Sequence, residues 1–421
     1  MNFLNVLPFE INELIFHHLS GTKLIEITSV SKEWNKFIGE SKYLMKNVKI
    51  NVNVDLKRIS NLKEALEKST RKYQHIEINS KLGTEVMIPK IFEIFKSKSY
   101  NVKTLNIDFF GLSGFKNLIG FIELFNETVE EMYLDIITTK KQLEELHNEN
   151  EIFDYKEFPK LKILRVMNFG FDTDFYNFFT KCKNLVEFRI QSFSSGERNP
   201  NSIVEILHQN KNLKIFQISL DIFQEILENE EITLKFPFKL HTFESSISAN
   251  YQNIFTSQFD SIQNLKISFI YCEENLKTIF KLPNLKKLYL LNLEGLYIKK
   301  NQLNVSESLE KLSIADFFLK PTTLNSIIRS SPNIKDLFIY TMNQETMKLV
   351  SRKMKQLESL RIGLMKNLDL LDKKLFPKIK NVQVDVLDRS LEEQLNAIPF
   401  KKRSKFVSLI LASKIIDSDS D

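Results

Sequence analysis

The sequence predicts an α/β chain: a short helical module followed by a solenoid of repeated strand–helix units. Three observations carry this. A pattern of apolar, two variable, apolar, one variable and apolar residues recurs about every 22 to 32 residues between residues 73 and 387. Between copies, apolar residues fall three and four apart, the spacing of one helix face. Residues 1–46 follow neither rhythm and carry three short amphipathic stretches instead.

In the N-terminal module, helices are expected at Phe9–Leu19, Thr22–Val30 and Lys32–Glu40. Pro8 suits a helix start, where its missing N–H costs nothing. Ile11, Leu14, Ile15 and His18 or Leu19 fall on one stripe at helical spacing. Ser20 or Gly21 interrupts the chain before Leu24 and Ile27, and Ser31 is placed as the N-cap of the helix presenting Trp34, Phe37 and Ile38.

The repeats read Val102–Leu105–Ile107, Val129–Met132–Leu134, Leu161–Leu164–Val166, Leu185–Phe188–Ile190 and Leu213–Phe216–Ile218. Later copies begin at Leu240, Ile262, Leu285, Leu309, Ile334, Leu357 and Ile379. Helix-spaced sets such as Ile88/Ile91/Phe92/Phe95, Leu118/Phe121/Ile122/Phe125, Ile203/Ile206/Leu207 and Leu324/Ile327/Ile328 fill the intervals. Pro159, Pro283 and Pro332 stop the helices and release extended chain. One strand and one helix cannot bury their apolar faces alone, whereas stacked copies share a core. The period is that of leucine-rich repeats, about 12–14 of them across residues 47–400. The unit from Val129 to Leu161 carries a charged insertion at Lys140–Glu151, expected as a surface excursion.

Alternation along each strand sends three apolar positions inward and the residues between them to the concave face. In the later repeats that face is expected to carry Lys287, Tyr289, Leu291, Lys311, Ser313, Asp336, Phe338, Tyr340, Ser359, Arg361, Asn381 and Gln383. Tyr289, Phe338, Tyr340 and Arg361 are the expected contacts of a protein ligand, because aromatic residues and Arg dominate interface hot spots.

The ordered run Leu7, Pro8, Glu10, Ile15, Phe16, Leu19, Leu24, Val30, Ser31, Lys32 and Trp34 resembles the F-box, with no gap needed. Phe9 and Ser31 stand where that family commonly has an acidic residue and Cys. Directly ahead of leucine-rich repeats, the run makes the whole chain similar to the F-box/leucine-rich-repeat proteins. The resemblance implies the substrate-recognition subunit of an SCF-type cullin–RING ubiquitin ligase. The F-box would dock on the adaptor subunit through Leu7, Pro8, Ile11, Ile15, Leu19, Leu24 and Trp34, and the adaptor would join it to the cullin and RING protein. The alternative is a repeat scaffold acting outside a ubiquitin ligase.

Composition narrows the remaining classes. A net charge of +6 over 421 residues, with both signs interleaved, lacks the concentrated basic face of a nucleic-acid binder. Ten glycines leave little material for phosphate-binding loops, and no Gly-x-Ser-x-Gly elbow frames a hydrolase triad, so no enzyme and no cofactor are expected. The six histidines are scattered, and Cys182 and Cys272 are far apart without metal-ligand spacing, so no metal site is expected. Both thiols are expected buried and reduced, as in an intracellular protein of the cytoplasm or nucleus. No apolar run reaches the roughly 20 residues of a membrane span, and acidic Glu10 and Glu13 follow Met1–Leu7 too soon for a secretory leader. Residues 401–421 hold the basic run Lys401–Lys405, a cap on the last repeat or a nuclear import signal, and the acidic tail Asp417–Asp421.

Overall fold

The structure is a computed structural model that describes residues 6–41, 43–53, 56–69, 71, 73–79, 87–96, 100–110, 115–137, 155–167, 178–191, 200–219, 224, 236–293, 295–316, 318–365 and 378–387. The insertion at Lys140–Glu151 and residues 401–421 lie outside them. The chain divides into two compact units, Met1–Leu213 and Lys214–Asp421.

The first unit opens with three helices, α1 (Phe9–His17), α2 (Gly21–Ile27) and α3 (Lys32–Glu40). Pro8 stands immediately before α1, and hydroxyls cap the other two. Ser20 Oγ accepts from the Lys23 N–H at 3.3 Å, and Ser31 Oγ from the Trp34 N–H at 3.2 Å. Phe16, Leu24, Phe37 and Ile38 form a core with Leu44, Met45 and Val48 around the 3₁₀ turn Leu44–Asn47. Trp34 packs at its margin, edge-on to Phe16 with ring centres 5.0 Å apart.

Two contacts weld this module to the chain that follows. A Cβ on Gly21 would stand 1.9 Å from the Asn47 carbonyl oxygen, so only glycine allows α2 to lie against the turn leading into the first strand. The Arg71 guanidinium donates to Thr28 Oγ1 at 2.7 Å and Asn35 Oδ1 at 2.9 Å, while Tyr73 packs on the module core.

Six parallel strands follow side by side in sequence order: β1 (Lys49–Asn53), β2 (His75–Asn79), β3 (Thr104–Phe110), β4 (Glu131–Ile137), β5 (Ile163–Met167) and β6 (Glu187–Gln191). Parallel neighbours need a crossover. The helices α4 (Leu56–Lys68), α5 (Met87–Lys96) and α6 (Phe115–Glu123) provide it between β1 and β4, and α7 (Pro200–Gln209) follows β6.

The second unit repeats the scheme with β7 (Ile215–Ser219), β8 (Thr242–Ser248), β9 (Asn264–Phe269), β10 (Lys287–Asn292), β11 (Lys311–Ile314), β12 (Asp336–Met342), β13 (Ser359–Met365) and β14 (Asn381–Leu387). All pair in parallel with their sequence neighbours. Helices α8 (Gln252–Ser257), α9 (Glu273–Ile279), α10 (Pro321–Arg329) and α11 (Gln344–Lys353) lie between strands. Each unit is thus an alternating strand–helix array on a parallel sheet. Every apolar residue that the pattern places at the head of a repeat, from Val102 to Ile379, is buried.

The connection from β10 to β11 departs from the expected helix. Its described residues are extended and turning, with Gly295 at φ 79° and Asn301 at φ 65°. Such a segment has no helical hydrogen bonds of its own, so its polar backbone needs outside partners. A hydroxyl row on α10 and its C-cap residue Ser330 supplies them. Thr323 Oγ1 accepts from the Ile298 N–H at 3.1 Å and donates to the Leu296 carbonyl at 3.0 Å. Ser326 and Ser330 donate to the Lys299 and Leu303 carbonyls at 3.1 and 3.2 Å.

Buried amides do the same elsewhere. Asn210 Oδ1 accepts from the Leu185 N–H at 2.7 Å, and its Nδ2 donates to the Cys182 carbonyl at 2.9 Å. Gln258 accepts from the Leu240 N–H at 2.9 Å, and Asn275 from the Tyr251 N–H at 3.2 Å. Cys182 is buried as expected, and desolvation pushes its thiol far above the usual pKa. Cys272 is exposed instead, because it sits on the turn just before α9 rather than on an inward strand position.

Two substitutions test this packing. Gly21→Ala must push α2 off the Asn47 carbonyl and should cost about 2 kcal/mol or more, read as a lower urea midpoint. An unchanged midpoint would mean that the approach is not tight. Thr323→Val keeps the shape but strands the Ile298 N–H and Leu296 carbonyl, and should cost about 2 kcal/mol in the same measurement.

Candidate functional site

The N-terminal module has an outward face that its own core does not use. On α1, Asn12 and Phe16 turn inward, which leaves Ile11, Leu14 and Ile15 at 42, 57 and 45% exposure. Pro8 and Phe9 continue this apolar surface, Phe9 lying edge-on to Phe37 at 4.9 Å. Among the residues the F-box resemblance singles out, Pro8, Ile11 and Ile15 are therefore exposed. Leu7 is half-buried, and its carbonyl accepts from Asn12 Nδ2 at 3.0 Å. Leu19 and Trp34 are half-buried against the module core. Leu24 is completely buried and has no surface for a partner in this conformation. It belongs to the module core with Phe16 and Met45.

The second surface is the outward face of the sheet in the second unit. Register places Lys266, Tyr289, Ser313, Phe338, Arg361 and Gln383 side by side in one row across β9–β14. Tyr289, Phe338 and Tyr340 are half-buried and Arg361 is exposed. The Arg361 guanidinium lies 5.3 Å from the Phe338 ring centre and the Lys311 ammonium 6.0 Å from that of Tyr289, each within cation–π range. Lys311 also pairs with Asp336 at 2.5 Å, which raises its pKa. Tyr340 crosses β13 at Gly363, where a Cβ would meet its Cδ2 at 2.7 Å.

Sequence reasoning missed a polar cluster on the sheet face of the first unit. Arg165 and Arg189 occupy the same row on β5 and β6, and both Nε atoms donate to Glu187 Oε1, at 2.5 and 2.6 Å. Arg165 lies 5.1 Å from the Tyr133 ring centre, and the Tyr133 hydroxyl donates to Glu131 Oε2 at 3.1 Å. Beside this cluster, Lys49, His75, Glu77, Asn106, Glu131 and Tyr133 line an open depression of about 270 Å³. Burial, then Lys49, lowers the His75 pKa. The signal was present in the sequence: Arg at the same repeat position twice running, with Glu two residues before the second.

A second unrecognised feature is a ladder of alternating charge directly behind the head position in eight of the repeats, interrupted by Val186, Lys214, His241 and Gln263 in the four between. Lys103, Glu130 and Lys162 form it in the first unit, with bonds of 2.5 and 3.3 Å. Lys286, Glu310, Lys335, Glu358 and Lys380 form it in the second, where Lys335 reaches Glu310 at 3.1 Å and Lys380 reaches Glu358 at 2.6 Å. Exposed pairs of this kind add little stability, and the alternation sets opposite charges beside one another in the observed register.

Among the described residues no group of three or more His, Cys, Asp or Glu is placed to hold a metal ion, and no helix is long and apolar enough to cross a membrane. No family model matches the chain, and no curated protein matches it. Among solved structures it is similar to a leucine-rich-repeat protein of Leptospira interrogans, 12% identical, over 85% of this chain and 90% of that one, with a TM-score of 0.35.

The Glu187 cluster makes a pH-dependent prediction. Burial alone raises the Glu187 pKa, but the guanidinium groups of Arg165 and Arg189 outweigh it and hold the carboxyl below its ordinary value. A depressed carboxyl stabilises the fold above its unfolded pKa of about 4.3, and that stability is lost as the pH falls through the lower native value. Glu187→Gln should therefore cost about 2 kcal/mol at pH 7, and the difference from the parent chain should shrink toward pH 3. Urea titrations at both pH values check this; an equal gap at each would rule out a charge-based role.

Proposed function

We propose that this chain is a non-catalytic protein-interaction subunit, whose N-terminal module docks on a partner while its repeat array holds a target. In its finer form the module acts as an F-box on the adaptor of an SCF-type ubiquitin ligase, which links the array to cullin and RING protein inside the cell, in cytoplasm or nucleus. The observation that carries this reading is the stripe of Ile11, Leu14 and Ile15, apolar groups left in water on a module that has already completed its core with Phe16 and Leu24. The ordered resemblance from Leu7 to Trp34 supports the choice of partner. Such a subunit works by position: holding a target beside a charged ubiquitin-conjugating enzyme replaces a bimolecular encounter with a high effective concentration. No cofactor, metal, nucleic acid or membrane enters this scheme. A second reading rests on the array alone, as a repeat scaffold that gathers proteins outside any ubiquitin ligase.

Co-expression of the full chain with adaptor and cullin, followed by affinity purification, separates the two. The intact chain should recover both, and Leu14→Asp/Ile15→Asp should lower recovery about tenfold or more while leaving the thermal melt in place. No recovery with the intact chain, or equal recovery with the variant, would remove the F-box reading and leave the scaffold.

A further inference from the structure

We propose that the depression on the outward face of β1–β4 receives an arginine side chain of a partner protein. The proposal rests on reading the repeat array as the part that holds a target, and it names one residue type of that target. Register sets two rows of three side chains across β2, β3 and β4. His75, Thr104 and Glu131 form one row, and Glu77, Asn106 and Tyr133 form the next. All six are half-buried and line a depression of about 270 Å³, with Lys49 at its β1 edge opposite His75.

Charge decides the sign of the occupant. Lys49 and Glu77 pair at 3.1 Å, which leaves Glu131 as the lining carboxylate with no ion pair among the described residues. The Tyr133 hydroxyl donates to Glu131 Oε2 at 3.1 Å, so Oε1 remains for another donor. Arg165, on the next strand, does not neutralise it. Its guanidinium lies over the Tyr133 ring and donates to Glu187 instead. An anionic occupant would have to draw Lys49 away from Glu77 and would then face two carboxylates.

Hydrogen-bonding capacity decides the shape. The Thr104 hydroxyl and the Asn106 amide, at the middle of the two rows, have no hydrogen bond among the described residues. One ring nitrogen of His75 bonds the Lys46 backbone. Burial, then Lys49, lowers the pKa of that ring, so at pH 7 its other nitrogen is an acceptor. Acceptors on Glu131, Thr104, Asn106 and His75 thus surround the depression, on strands about 4.8 Å apart and rows about 7 Å apart. A ligand that shuts water out of it has to satisfy them. Guanidinium is flat, permanently charged and carries five donors and no acceptor, which matches this lining. A lysine ammonium concentrates three donors at one point and spans fewer of these groups.

The test selects a displayed library of random heptapeptides on the full chain and, in parallel, on Glu131→Gln, which keeps the shape and removes the charge. The parent chain should enrich arginine at one peptide position about tenfold over the variant. A fluorescein-labelled copy of a selected peptide should bind the parent chain, by fluorescence polarisation, about tenfold more tightly than the same peptide with citrulline in place of arginine. If Glu131→Gln loses its thermal transition, Asn106→Lys, which sets a cation in the depression, is the comparison. Enrichment without an arginine preference, or equal binding of the citrulline peptide, would overturn the proposal and leave the array as a target holder. Full displacement by an equal concentration of free L-arginine would overturn the assignment to a protein partner. No enrichment on either chain would remove both this proposal and the target-holding reading of the array. Adaptor recovery through the N-terminal module is measured separately and is unaffected by any of these outcomes.

Discussion

Each strand–helix unit of this chain carries an apolar row that its own residues do not cover, and the neighbouring unit supplies the cover. The residues from Val102 to Ile379 that head the repeats are all buried. Full burial of one such Leu or Ile contributes about 1.5–3 kcal/mol relative to exposure, and no single unit collects that alone. Within each of the two units, therefore, the first requirement is the parallel stacking itself. Everything polar then has to be fitted around a sheet whose strands keep their sequence order.

That fitting explains why buried polar residues occur where a pattern of apolar positions would not place them. A parallel array needs a return path for each repeat, and the turns of that path carry backbone groups out of reach of water. Asn210, Gln258 and Asn275 satisfy them with side-chain amides. Where the return path between β10 and β11 is extended, the hydroxyls of Thr323, Ser326 and Ser330 act as one row. The N-terminal module meets the same demand through closeness of backbone, its second helix seated against the Asn47 carbonyl at Gly21.

With the interior closed in this way, the surfaces are free to carry chemistry that adds nothing to folding. The α1 stripe leaves three branched apolar side chains in water while Phe16 and Leu24 complete the core behind them. The sheet face of β9–β13 keeps opposed lysines beside a ladder that elsewhere alternates its signs. Both features run against local stability.

The strand rhythm, the helices at Ile88–Phe95, Leu118–Phe125, Ile203–Leu207 and Leu324–Ile328, and the Ser31 cap follow from sequence alone. Periodicity of burial and the need to satisfy a helix end are local rules. So is the assignment of Tyr289, Phe338 and Arg361 to one outward row, because strand alternation has a period of two. Tertiary structure alone decided the rest. It buried Leu24 and exposed Leu14 on neighbouring helices of similar pattern, since which side of a short amphipathic helix meets the core depends on how its neighbours close over it. It replaced an expected helix between β10 and β11 with extended chain, because hydroxyls from a later helix met that backbone. It also set Arg165 and Arg189 around one carboxylate, a contact between residues 22 apart that only the sheet register brings together.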